Sequence, residues 1–363
     1  MALATHGSGN ATVVNDEGFF FTDLESEVGG NLSVTATTGN ITSDAPSVTI
    51  AGTSSFTTSA NNATITLNDT GNSFAGAVSL NTTGSTGHAT IDNGTTALNV
   101  GTSSVGGNLT LTSGHASGIT DSGTVTVGGN LLATTDANSG VINLGTLAVD
   151  GTVQLTTNGT GNATVVNDAG LTFAASTVGG NFAATATTGN VTHGSGGALS
   201  VTGTSSFTTS ANNAYIALSY QTNAFTGAVS LNTTGSDGFA RIDGGTTALD
   251  IAASSVGGWL MLTSGHASGI TDSGTVTVGG NLIATTDANS GVINLGTLAV
   301  DGTVQLTTNG TGNATVVNDA GLNFAASTVR GNLAATATTG NIVDSGVLTV
   351  AGTSSFTTSQ NNA

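Results

Sequence analysis

The stretch SVTIAGTSSFT, residues 47–57, decides how the chain is read. Val48, Ile50, Gly52, Ser54 and Phe56 put an apolar or small residue at every second position, with a glycine at the centre. The same five-point frame is centred on Gly30, Gly52, Gly76, Gly107, Gly129, Gly151, Gly180, Gly203, Gly227, Gly258, Gly280, Gly302, Gly331 and Gly352, fourteen copies in all. Only Asn72 and Asn223 bring a polar side chain to a first position. A period of two means pleated strand with one face turned inward, while Thr, Asp and Gln alternate outward. The glycine takes an inward slot, where the missing Cβ permits a corner and leaves room for a strand stacked above it.

Working outward, the centring glycines are spaced 22, 24, 31, 22, 22 and 29 residues, then 23, 24, 31, 22, 22 and 29, then 21. The spacing list itself repeats, so six short units make a super-repeat of about 151 residues. GNATVVND occurs at 9–16, 161–168 and 312–319, and residues 111–170 match 262–321 except for Leu132 against Ile283. A second punctuation, TTGN followed by a β-branched residue, supplies turns at Gly39, Gly189 and Gly340. The segment FFFTDLESE, residues 19–27, is two residues longer than its counterpart at 171–177 and reads as a surface insertion, with the decayed edge of a repeat block as the alternative.

A period of 20 to 30 residues without helix formers predicts one strand-rich coil per unit. The expected fold is therefore all-β: a single-stranded parallel β-helix, or β-solenoid, of about 14 coils of 21–31 residues. It is expected to form one continuous domain over 1–363, divided into super-repeats at 9–160 and 161–311 and a partial one at 312–363. Such coils stack about 4.8 Å apart through parallel backbone hydrogen bonds, each contacting only its neighbours. Inward positions are mostly Val, Leu and Ala with an occasional Phe56, Phe207 or Phe356.

Composition supports this and narrows function. Gly (55 residues), Thr, Ser, Asn, Ala and Val dominate, with one proline and no lysine or cysteine. The scheduled apolar positions distinguish the chain from a disordered Gly/Ser/Thr-rich segment. A net charge of −18 speaks against nucleic-acid or anionic-membrane partners, which require clustered Lys and Arg. There is no apolar run long enough to insert in a membrane, no basic leader after Met1, and no thiol for a disulfide or metal site.

The segment GNLTLTSGHASGITDSGTVTVGGNL, residues 107–131, resembles the coils of filamentous-haemagglutinin-type secreted adhesins and the passenger repeats of autotransporters. That resemblance implies a right-handed solenoid displayed outside a bacterial cell and used for adhesion, biofilm formation or as a stalk.

No catalytic constellation, cofactor-binding motif or metal-ligand spacing stands out. The two cations, Arg241 and Arg330, replace Thr90 and the glycines Gly29 and Gly179 of earlier copies. Acids sit at turns, as in Asp121, Asp136, Asp150, Asp168 and their copies Asp272, Asp287, Asp301 and Asp319, where Asp caps backbone amides. Asp136, Asn138 and Gly140 suggest a calcium loop, but Leu147 stands where a bidentate Glu is needed. His6, His88, His115, His193 and His266 are scattered turn residues. Trp259, Tyr215 and Tyr220 are aromatic novelties, Trp259 at an outward position held elsewhere by Asn108 or Asn281, and an exposed aromatic can meet a sugar.

The expected function is an extracellular, cell-surface structural and adhesive repeat: a stalk or fibre-forming adhesin segment. Its expected partners are itself, by end-to-end stacking or as part of a longer chain, and host or matrix glycans. A polysaccharide-degrading β-helix enzyme and an ice-binding solenoid are the alternatives.

Overall fold

A computed structural model describes residues 1–22 and 24–359. Every named element is a β-strand, and the strands form a parallel β-solenoid of about sixteen turns. The chain divides into two compact units, 1–181 and 182–363.

In the first unit, one long ladder runs through Ala11–Asn15, Leu32–Ala36, Ser54–Asn61 and Val78–Thr83, all parallel and in register up to a shift between Asn81 and Thr83. It continues through Leu98–Val100, Ile119–Asp121, Ile142–Val149 and Ala163–Asn167. A second ladder starts at Phe19–Phe21, Ile41–Ser43, Ile65–Leu67 and Ala89–Asp92. It goes on through Leu109–Ser113, Leu131–Thr135 and Thr152–Thr156. A short third ladder joins Ser26–Val28, Val48–Ile50 and Ser73–Phe74. The second unit repeats the first two ladders, for example Phe182–Ala186, Ser205–Asn212 and Val229–Thr234 on one face and Val191–His193, Ile216–Leu218 and Ala240–Asp243 on the other.

The pairing corrects the expected coil length. Val78 pairs Val100, Leu98 pairs Ile119, and Ile119 pairs Ile142, so turns stay near 22 residues even across the 31-residue glycine spacing. What changes there is the face. Gly30, Gly52 and Gly76 precede strands of the first ladder, whereas Gly107, Gly129 and Gly151 precede strands of the second. The backbone amides of Gly30, Gly52 and Gly76 donate to Gly9, Gly30 and Gly52, while those of Gly107, Gly129 and Gly151 donate to Gly87, Gly107 and Gly129. Gly180 stacks in the same way on Gly161. In the second unit, Gly258, Gly280 and Gly302 continue from Gly238, and Gly331 and Gly352 from Gly312. A Cβ on Gly227 would stand 2.4 Å from the carbonyl oxygen of Gly203. The frame thus marks a corner, and after three turns it moves to another corner. From Ala11–Asn15 to its copy Ala163–Asn167 the chain makes seven turns, although the glycines count six units.

Period-two burial builds the core. Inward residues such as Val34, Ile65, Leu80, Leu111 and Val165 are fully buried, and rows of Thr and Ser face out. Phenylalanine fills the interior more than expected: Phe21, Phe56, Phe74, Phe173, Phe182, Phe207, Phe225 and Phe324 are among the largest fully buried side chains. They meet edge to face, Phe56 to Phe74 at 5.8 Å and Phe182 to Phe207 at 5.6 Å, a favoured aromatic geometry. Phe356 is an exception, half exposed on the strand Ser354–Thr358. Phe19 and Phe21 are core residues on a strand, so the longer segment at 19–27 is inserted only around Leu24, which is exposed; Asp23 lies outside the described residues.

The polar exceptions to the frame are also accounted for. Asn72 is buried, yet its Nδ2 donates to the carbonyls of Leu67 and Asp92 and its Oδ1 accepts from the amide of Val48. Asn223 repeats this with Leu218, Asp243 and Leu199. A buried amide with its donors and acceptors satisfied costs little.

Candidate aromatic site on the second face

On the second ladder of the first unit, one outward column comprises Asn40, Thr64, His88, Asn108, Asn130 and Thr152, each one turn above the last. Its side chains carry a hydrogen-bonded rung. The amide of Thr64 donates to Asn40 Oδ1 (2.9 Å), that of Asn108 to His88 Nδ1 (2.8 Å), and that of Asn130 to Asn108 Oδ1 (2.9 Å). Corner amides would otherwise find only water, which explains why Asn so often follows the corner glycine.

The same column in the second unit reads Asn190, Tyr215, Phe239, Trp259, Asn281 and Thr303. Three consecutive polar residues, two of which carry rungs, are replaced by aromatic rings. Tyr215 and Phe239 stack with centroids 4.6 Å apart and planes 5° from parallel; Phe239 and Trp259 stack at 4.3 Å and 4°. The spacing follows from the solenoid, since successive turns bring equivalent side chains to about ring-stacking distance. Polar rungs resume at Asn281, which accepts from the amide of Thr303 (2.9 Å).

These rings form one wall of an outward-facing groove of about 460 Å³, lined also by Thr192, His193, Ala217, Ser219, Tyr220 and Arg241. Ala217 is the outward residue of the strand Ile216–Leu218, Ser219 follows that strand, and Arg241 pairs in register with Ala217. The opposite wall is an edge-to-face pair, His193 and Tyr220, with centroids 4.8 Å apart. Tyr220 is fixed by its hydroxyl, which donates to the Gly194 carbonyl (3.1 Å) and accepts from the Gly196 amide (2.9 Å). His193 Nδ1 bonds to the Gly197 carbonyl, and burial holds its imidazole below the usual histidine range. Arg241 is exposed and makes no ion pair or hydrogen bond from its guanidinium among the described residues.

Sequence reasoning singled out Tyr215, Trp259, Tyr220 and Arg241, and the structure brings all four to this groove. It missed Phe239, the middle ring, and His193 as a wall. Both differ from the first copy, His88 to Phe239 and Ser43 to His193, so comparing the two super-repeats was the available signal. Arg330 lies elsewhere, in a surface hollow with Asp287, Thr308 and Gly310. A Cβ on Gly179, its counterpart, would stand 1.8 Å from the Gly159 carbonyl oxygen, yet both positions make the same amide bond, Gly179 to Thr157 Oγ1 and Arg330 to Thr308 Oγ1.

The remaining candidates serve turns. His115 and His266 each accept from an amide two residues on, at 3.0 Å. Asp121 accepts from the amides of Gly145 and Thr146 in the next turn, and Asp272 does the same for Gly296 and Thr297. At the suggested calcium loop, Asn138 donates to the Gly114 carbonyl and Thr135 to that of Gly140. No group of three or more His, Asp or Glu side chains that could hold a metal occurs among the described residues. Asp92 and Asp243 are pushed above the usual carboxylate range by burial first, then by neighbouring Asp136 and Asp69 for the one and Asp287 for the other.

No curated protein and no solved structure matches the chain. A family model does match, over residues 8–81, 86–144, 160–232 and 311–363, well over half of the sequence. Matched segments 8–81 and 160–232 are equivalent parts of successive super-repeats, in keeping with a chain assembled by duplication. The chain belongs to the family described as repeats of unknown function (DUF5649).

Proposed function

We propose that the chain is an extracellular structural and adhesive repeat, a stiff segment of a surface stalk or fibre of the filamentous-haemagglutinin or autotransporter-passenger kind. The observation that carries this reading is the unbroken parallel ladder from Ala11–Asn15 to Ala163–Asn167, closed over a fully buried apolar core. Each turn is held by its neighbours, so stability accumulates with length and stiffness comes without disulfides. The outward rows of Thr, Ser and Asn and the acidic balance keep such a surface soluble while it presents side chains at regular intervals.

The test is location and adhesion in the cells that make the protein. Antibody against the intact chain is expected to label unpermeabilised cells, and cells lacking the chain are expected to bind matrix-coated surfaces less. Labelling only after permeabilisation, with adhesion unchanged, would overturn the reading.

A further inference from the structure

The groove on the second unit goes beyond that reading and does not depend on it. Its origin is visible within the chain. The super-repeats are nearly identical over 111–170 and 262–321 but differ at many positions over 64–110 and 215–261, and seven of these are Thr64 to Tyr215, Thr66 to Ala217, Asn68 to Ser219, Asp69 to Tyr220, His88 to Phe239, Thr90 to Arg241 and Asn108 to Trp259. Those changes converge on one patch of one face. They also act together: the threonine at position 66 is trimmed to Ala217 on the floor, while rings are gained on both sides. Stacking alone gives no reason for Arg241, which touches no acid and brings a cation to a chain of net charge −18.

The ring geometry restricts what can bind. Phe239 has both faces covered by its neighbours, so the wall presents ring rims, and the rim of an aromatic ring carries the positive end of its quadrupole. Rims and a free guanidinium both favour oxygen-rich, negatively charged groups, and Arg can take a carboxylate through two parallel hydrogen bonds. Burial lowers the pKa of His193 and so favours its uncharged form. The exposed Ser219 hydroxyl supplies a polar contact, and the volume is within the usual range for small-ligand sites, with room for one or two sugar rings. A densely charged polymer is disfavoured by the protein's own field.

We infer that this groove binds a sugar acid, a saccharide unit bearing one carboxylate, with the carboxylate on Arg241 and the sugar lying along the rims of Tyr215, Phe239 and Trp259. Trp259 is the only tryptophan in the chain, so its fluorescence reports the site directly. Titration of the full chain with glucuronate is expected to give a saturable change, at least tenfold tighter than with glucose, which lacks the charge, or acetate, which lacks the ring. Arg241→Thr restores the residue at the equivalent place, Thr90, so it is expected to fold while weakening glucuronate at least tenfold. Arg241→Gln, checked by circular dichroism, covers the case in which the threonine variant is damaged. Arg330→Gly should leave binding unchanged. Equal responses to glucuronate, glucose and acetate, or an undiminished response in a folded Arg241 variant, would overturn the inference. The scaffold reading would survive that result, since it falls only on location and adhesion.

Discussion

The outward column of the second face is built twice, once as Thr64, His88 and Asn108 and once as Tyr215, Phe239 and Trp259, over cores that barely differ. Ile65 and Leu67 beneath the polar version, and Ile216 and Leu218 beneath the aromatic one, are all fully buried and pair in the same register. The exchange is close to neutral in energy. Phe and Trp rings offer no acceptor to the amides of residues 259 and 281, forgoing roughly 1 kcal/mol for each lost hydrogen bond. Two ring stacks return about 0.5–1.5 kcal/mol each. A parallel solenoid therefore separates its scaffold from its display. Inward residues set the register, and outward ones can change without disturbing it.

If that separation holds, damage to the core should be severe and alike in both units. Phe56→Ala and Phe207→Ala are each expected to destabilise by about 3–5 kcal/mol, the range for an emptied aromatic site, as read by chemical denaturation. Unequal losses would show that the cores are not equivalent. A smaller effect is expected within the column. Asn108→Ala removes one rung and should cost about 1 kcal/mol, whereas Trp259→Asn exchanges a stack for a rung and should fall within about 1 kcal/mol of zero in either direction.

Acid should separate the two units further. Burial lowers the His193 pKa in the folded state, so its contribution is intact above the unfolded value of roughly 6.5 and is lost as pH falls below it. Its neighbours in the groove are Arg241 and Tyr220, and its hydrogen bond to the Gly197 carbonyl acts against the effect of burial. His193→Ser, the residue at the matching place in the first copy, should flatten the loss of melting temperature between about pH 6.5 and 5. An unchanged slope would mean that this imidazole is solvated. The smallest effect is expected for Thr90→Arg, a surface change in the polar column, which should shift stability by less than about 0.5 kcal/mol and confer no response to glucuronate.

Much of this was legible beforehand, and the failures have physical causes. Period two around a glycine identifies strand, corner and inward face, and the recurrence identifies stacking. The glycine frame does not reveal which corner it occupies, because each corner of a coil has the same steric requirement. Only the pairing of Val78 with Val100 shows that the 31-residue spacing is one turn plus a move to another face. Trp259 and Tyr215 drew notice because such residues are rare here. Phe239 did not, because Phe56, Phe207 and Phe225 had made phenylalanine an interior residue. Strand parity would have distinguished them: Phe239 immediately precedes the inward Ala240, and Arg241 follows it on the same outward side. Which side chains close the groove depends on contacts between turns, and that information is in the stacking rather than in any one repeat.

The seven-turn length of the duplicated block has a consequence for how such a gene can grow. Because seven turns separate Ala11–Asn15 from its copy Ala163–Asn167, recombination between equivalent points inserts or removes whole turns and returns the chain to the same ladder. Loss of a single three-unit block, after which the glycine frame changes ladder, would instead bring the next strand to the wrong ladder.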